Sequence, residues 1–393
     1  MKYKKSQVTI LMIIGLVLFI LASLVFYLSK YSVKKQSQNS IRKVQENSMD
    51  TQSISQFVSK CIDKVARDAV LLLGRQGGYI YKSEGGTLVD YQDTDEGLFF
   101  VTYNKLHVPY IISPQKFSVG KYSAGIPRYP WKFFPYKKDD LIDEEYDGIF
   151  GINRMPPLES FGGSHSIQNQ IESFIDSNIY GCVDIGILNN KLYNIEVGKS
   201  TTNVVVGNND ITIKSSIPMK ISNIATKQTT EIRDFSANLD VRIKDVYTFA
   251  KDLAEKDTKN IKFNISDINN NKNFISVRLI KDALPSDDLI IITDDKSLIY
   301  AKPFEFIFAR KNRAPALFYI KNNEFEFPPG HIITEDEITP AEGFIALDPD
   351  EDDYVITIDP QPPFELKVPQ KKFKIEVSDG KLSDYQIINV TRK

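Results

Sequence analysis

The side chains in this sequence best suited to covalent chemistry are two cysteines, Cys61 and Cys182, and there are no others. In an exported chain an even pair reads as one disulfide; in a reducing compartment it reads as two buried thiols. Their settings are alike. Ile54, Phe57, Val58, Cys61, Ile62, Val65, Ala69, Leu72 and Leu73 recur at helical spacing, and so do Ile167, Ile171, Phe174, Ile175, Ile179 and Cys182. The spacing predicts helices over about 53–73 and 166–182, each carrying its cysteine on an apolar face. A cystine there would join the two helices and have no catalytic role.

Other candidate chemistry is thin. His107, His165 and His331 are the only histidines, too few for a histidine-rich metal centre or a recognisable triad. Ser164 and His165 are neighbours, but a nucleophile needs a base that the fold places beside it, which adjacency in sequence does not supply. Gln76-Gly-Gly-Tyr-Ile-Tyr81 lacks the Lys-Ser/Thr of a phosphate loop, and its glycines close a helix where such a loop opens one. Scattered Asp and Glu could serve a hydrolase, yet no spacing singles out a pair. We identify no catalytic residue. With 49 Lys and Arg against 51 Asp and Glu, the net charge of −2 leaves no basic excess for gripping nucleic acid. Two Asn-x-Ser/Thr triplets, at Asn264 and Asn389, are glycosylation sequons if the chain is exported.

Whether it is exported turns on the elements around these residues. Val8 to Leu28 is uncharged and apolar, and as a helix it reaches about 30 Å, the thickness of a bilayer core. A cleaved signal peptide would be shorter and would end in a small-x-small site. We therefore expect a retained membrane anchor over 1–30, the membrane being a partner through residues 8–28, followed by a polar stalk over 31–52. Lys30, Lys34, Lys35, Arg42 and Lys43 outnumber Lys2, Lys4 and Lys5, which by charge alone favours a cytoplasmic C-terminus. Long C-terminal domains translocate largely regardless of charge, so the expectation is a single-pass protein with its domains outside.

Residues 53–310 read as one α+β body. Leu98–Tyr103, Val108–Ile112, the hairpin of 202–206 with 211–214, and runs at 235–243, 274–280, 289–293 and 304–309 have strand character. A short helix is expected around Val246–Leu253. The ring-rich stretch Tyr129–Tyr136 is either a recognition surface or a proline-pinned loop packed on the body.

Two stretches resemble known families. Lys4-Lys5-Ser6-Gln7-Val8-Thr9-Ile10 resembles an archaeal class III, type IV pilin-like signal, which implies processing between Ser6 and Gln7 with the helix retained. Lys311-Asn-Arg-Ala-Pro-Ala-Leu317, Ala346-Leu-Asp-Pro-Asp-Glu-Asp352, Asp353-Tyr-Val-Ile-Thr-Ile358 and Phe373–Gly380 running into Tyr385–Val390 are together similar to cadherin-like, dystroglycan-type immunoglobulin-like modules of surface proteins. That resemblance implies a β-sandwich over 312–393. In some such modules the acidic turn binds Ca²⁺, so Asp348, Asp350 and Asp352 would supply oxygen ligands; otherwise the turn is simply solvated.

The expected whole is an N-terminal transmembrane helix, an α+β body and a C-terminal immunoglobulin-like sandwich. The expected role is structural or adhesive, toward a surface protein or glycan, with Ca²⁺ the one cofactor suggested. An anchored hydrolase and a pilin-like filament subunit are the alternatives.

Overall fold

A computed structural model describes residues 51–86, 100–114, 148–162, 165–183, 193–284, 287–318, 320 and 322–393. The apolar run 8–28, Ser6, Gln7, residues 31–50, Tyr129–Tyr136 and Ser164 lie outside the described residues. Among those described, no helix is long and apolar enough to cross a membrane. The fold is α+β, and the chain divides into two compact units.

The smaller unit includes the start of α1 (Thr51–Arg75), strand β4 (Tyr193–Val197) and the chain from Met219 to Ile232. Here β4 pairs antiparallel with the far half of β6 (Ile211–Asn223), from Tyr193 opposite Asn223 to Val197 opposite Met219. Met219 and Ile221 are buried while Lys220 between them is exposed, the two-residue period of a strand with one covered face. The turn that follows is fixed by Asn223, whose Oδ1 accepts the N–H groups of Ala225 and Thr226 at 2.9 Å.

The larger unit is built on a six-stranded sheet. Strands β1 (Phe100–Tyr103), β2 (Leu106–Ser113), β10 (Lys302–Arg310), β9 (Asp287–Ile299) and β8 (Ile275–Leu284) lie side by side in that order, and β3 (Ile152–Asn153) pairs with β2. Among the described strands of this sheet, only β2 and β10 pair in parallel, with Tyr110 beside Ala309. Leu289–Ile292 and Phe306–Ala309 are buried residue after residue, as continuous apolar runs are when both faces of a sheet are covered.

Close approach governs how α1 meets β10. A Cβ on Gly74 would stand 2.4 Å from the Glu305 carbonyl oxygen and 2.5 Å from the Phe304 ring. Gly74 thus keeps the helix and strand in contact, and α1 runs through it to Arg75. The stop comes from Gly77 and Gly78, both at positive φ, with Gly78 N–H donating back to the Leu73 carbonyl at 2.8 Å.

Helix α2 (Ile167–Cys182) opens on Ser166, whose Oγ accepts the Asn169 N–H at 3.2 Å. Its outer face grips β5 (Thr201–Val206). Glu172 accepts the Val204 N–H at 2.9 Å, and Asp176 accepts the hydroxyls of Ser200 and Thr202 at 2.7 Å. β5 in turn pairs with the near half of β6, from Thr201 opposite Ser216 to Val206 opposite Ile211. The alternating run expected over 235–243 is divided: β7 spans Thr229–Leu239, and Ile243 already opens α3 (Ile243–Lys259). Arg242 takes the chain out of the strand, pairing its guanidinium with Asp294 and its N–H with Ser297 Oγ.

After β10 the chain forms a four-stranded sheet in the order β12 (Glu324–Phe327), β18 (Ser383–Arg392), β17 (Gln370–Ser378) and β15 (Val355–Asp359). Two short ladders accompany it, β11 (Ala316–Leu317) with β14 (Ala346–Leu347), and β13 (Ile332–Ile333) with β16 (Phe364–Glu365). Leu317, Ile333, Ala346, Ile358, Phe373, Ile375, Ile388 and Val390 share one core, so the ladders and the sheet cover one another.

Cys61 and Cys182 are joined, with Cα atoms 5.6 Å apart and 121 residues of separation in sequence. The bond ties the apolar face of α1 to the last turn of α2. Closing so long a loop restricts the unfolded chain strongly. The Cys61→Ser, Cys182→Ser double variant is expected to lose about 2–5 kcal/mol of unfolding free energy, read by urea denaturation of both proteins without reductant.

Candidate functional site

Among the described residues, a dense cluster of buried charge lies where β10 hands over to the C-terminal strands. Arg310 ends β10, directly across the ladder from Asp288 at the start of β9. Asp257 comes from the last turn of α3, Arg313 follows three residues after Arg310, and Asp350 sits in the turn after β14. All five side chains are buried, Arg313 completely.

Arg310 donates from Nε and Nη2 to Asp288 Oδ2 at 3.1 and 2.6 Å, and from Nη1 to Asp257 Oδ1 at 2.9 Å. Its Nε also lies 3.1 Å from Asp350 Oδ1. Arg313 is more fully engaged. Nε reaches Asp350 Oδ1 at 3.0 Å; Nη1 reaches the Phe150 and Asp257 carbonyls at 3.3 and 3.1 Å; Nη2 reaches the Pro349 carbonyl and Asp350 Oδ1 at 2.8 and 2.7 Å. Those bonds use all five N–H groups that a guanidinium carries. Asp257 Oδ2, 2.8 Å from Nη2, is therefore held by charge and accepts no aligned hydrogen bond. The Arg313 backbone N–H completes the lock, donating to Asp350 Oδ2 at 2.6 Å.

Three carboxylates thus face two guanidiniums with little access to water. Burial pushes the Asp257 carboxyl up, against the pull of Arg313 and Arg310. For Arg310, burial alone would weaken the charged form, but Asp257, Asp350 and Asp288 together hold it above its ordinary value. Beside the cluster stands a fourth acid. Asp348 Oδ1 accepts the N–H groups of Asp350 and Asp352 at 2.7 and 3.2 Å, while Oδ2 is buried without a hydrogen-bond partner. Burial first, and then the charge of Asp350, raise its pKa from the ordinary 3.8 to about 7. Asp352, half-buried, is shifted up for the same two reasons in the same order, opposed by Lys281.

The three aspartates expected as calcium ligands consequently face different partners. Asp350 is taken up by arginines, Asp348 makes an Asx turn, and Asp352 lies 3.7 Å from Lys281 Nζ. Among the described residues, no three His, Cys, Asp or Glu side chains form a group that could hold a metal ion. Elsewhere, His107 stacks on Phe100 with centroids 4.1 Å apart, and its Nδ1 is 3.5 Å from Ser83 Oγ, too long for a strong hydrogen bond. His331 stacks on Phe327 and bonds Glu337 at 2.8 Å. His165 is exposed and its carbonyl accepts from Gln170 Nε2. Asn264 is exposed in the turn after α3, and Asn389 is half-buried within β18.

Sequence reasoning missed Arg310, Arg313, Asp257 and Asp288. One signal was available: an arginine closing the apolar run Phe304–Ala309, with a second three residues later, is out of place in a core unless paired. Compared with known proteins, the chain matches no family model and no curated protein.

A buried, sealed cluster of this kind is built to hold elements together. Arg313→Met leaves Asp350 and Asp257 short of a partner and is expected to cost about 3–5 kcal/mol, measured by chemical denaturation. For Asp348 the sign follows from a pKa that is higher in the folded than in the unfolded chain. Between about pH 4 and pH 7 the folded state holds the extra proton, so this group makes stability fall as pH rises through that window. Asp348→Asn is expected to flatten that slope and to be more stable than the parent at pH 8 by about 1–3 kcal/mol, read by denaturation at pH 5 and pH 8.

Proposed function

We propose that this chain is a single-pass, membrane-anchored surface protein whose domains stand outside the cytoplasm and do structural or binding work. The observation that carries the proposal is the cystine between Cys61 and Cys182, since such bonds persist in oxidising compartments and are rare in the cytosol. The uncharged run Val8–Leu28 supports it, being long enough for a helical span. In this reading residues 312–393 form an immunoglobulin-like sandwich, with the four-stranded sheet as one layer and the two short ladders as the other.

The charged cluster favours mechanical over catalytic work. General acid–base chemistry needs a carboxyl that a substrate can reach. Asp257, Asp288 and Asp350 instead spend their oxygens on buried guanidiniums and backbone N–H groups. Their arrangement fastens the C-terminal strands to α3 and to the β9–β10 ladder. A module fixed this firmly presents its outer surface at a set angle, which suits a surface protein that must display a face to a partner.

The test is protease added to intact cells carrying the full chain with a C-terminal tag. Loss of the tag, while a cytoplasmic control survives, is the expected result. A tag that stays protected until the cells are lysed overturns the proposal.

A further inference from the structure

We infer that Asn264 accepts an N-linked glycan and that Asn389 does not. This rests on the exported reading above, because the glycan donor is met only by a chain that crosses or leaves the membrane. Both asparagines open an Asn-x-Ser/Thr triplet, Asn264-Ile265-Ser266 and Asn389-Val390-Thr391. The fold treats them in opposite ways.

Asn264 is exposed in the irregular segment between α3 and β8, pinned to the body by Ile261 and Ile265, which are 3% and 1% exposed. Its Oδ1 accepts two hydrogen bonds from the third residue of its own triplet, Ser266 N–H at 2.8 Å and Ser266 Oγ–H at 2.7 Å. A hydroxyl bond to a carboxamide oxygen draws density toward that oxygen and makes the nitrogen's protons easier to lose. The turn is braced from behind, since the Asn264 carbonyl accepts Asn270 Nδ2 at 2.9 Å and Asp267 N–H at 3.3 Å. Among the described residues nothing takes a hydrogen bond from Asn264 Nδ2, the atom that would be glycosylated.

The co-reactant is a glycan carried on a lipid pyrophosphate in the exporting membrane. Nδ2 attacks the anomeric carbon, a C–N bond forms, and the C–O bond to phosphate breaks. The electron pair of that bond leaves with the lipid pyrophosphate, and Nδ2 gives one proton to a base of the transferring enzyme. Ile265 stays buried while the sugar extends into solvent, so the attachment displaces no core residue.

Asn389 lies inside β18, with Lys372 of β17 beside it on one edge and Glu324 of β12 on the other. Its N–H donates to the Asn323 carbonyl at 2.7 Å. Thr391 Oγ1, which would have to fold back onto Asn389, donates instead to the Phe325 carbonyl at 3.2 Å. An extended strand held on both edges cannot form the turn that Asn264 already has.

The experiment takes the full chain from membranes of a glycosylating host and digests it after alkylation without reductant. The digest is treated with an amidase that leaves aspartate wherever a glycan was attached, and peptide mass spectrometry reads both triplets and both cysteines. Aspartate at position 264 with unmodified Asn389 is expected. Ser266→Ala, an exposed change, should abolish the mark, and Ser266→Thr should keep it. Unmodified Asn264 in a protein whose Cys61 and Cys182 are still joined overturns the inference while the exported reading stands. Unmodified Asn264 with both cysteines alkylated overturns the two together. A glycan on Asn389 overturns the distinction between the sites.

Discussion

The Arg313–Asp350 pair is the contact on which the architecture of the larger unit depends. A guanidinium with no exposed surface survives only if each of its five N–H groups has an acceptor, and Arg313 finds them on α3, on the Asp350 turn and at Phe150. The donors of a guanidinium are coplanar and fixed in a fork, so the acceptors must arrive in one geometry. Elements far apart in sequence are therefore set in mutual register by one side chain. Hydrophobic contact at the same junction, where Phe150, Ile261 and Ala316 pack together, is less demanding of angle.

The cluster's excess of acid gives this junction its particular character. Arg310 and Arg313 neutralise two of the three carboxylates they touch, and Asp348 adds a fourth acid at the edge. Its Oδ1 shapes the turn by taking two backbone N–H groups, work that an uncharged carboxamide oxygen performs as well. Shape at this position thus depends on an oxygen, and the charge is a burden that burial makes heavier. The turn also carries Glu351 at φ 60°, in the left-handed region that favours glycine.

How much of this the sequence disclosed depends on the range of the signal. Helices α1 and α2 were legible because apolar residues at three- and four-residue spacing, Ser166 and the Gly77–Gly78 pair are local marks. The β5–β6 hairpin was legible from Gly207–Asp210, and β9 and β10 from their apolar runs. The end of β7 was not, since Leu239, Val241 and Ile243 keep the two-residue period after the strand has ended. The cluster was opaque for a different reason. Asp257, Asp288 and Asp350 each look like an ordinary solvated charge until the topology brings them together, and the two arginines, though out of place beside an apolar run, do not name their partners. For the acidic turn the sequence left oxygen ligands and a solvated turn both open, and spacing cannot show that arginines from β10 and the segment after it meet Asp350.

The parallel ladder between β2 and β10 sets an order on assembly. Tyr110 and Ala309 are neighbours in space, and about half of the chain lies between them. β8 and β9 precede β10 and pair with each other, so β10, made later, is the strand that joins them to β2. A chain emerging from its N-terminal end holds β2 long before its partner exists, leaving one edge of an apolar strand open to whatever else is extended nearby. Pairings of such long range are slow to form. Until residue 309 is made, that edge of β2 has no native strand to pair with.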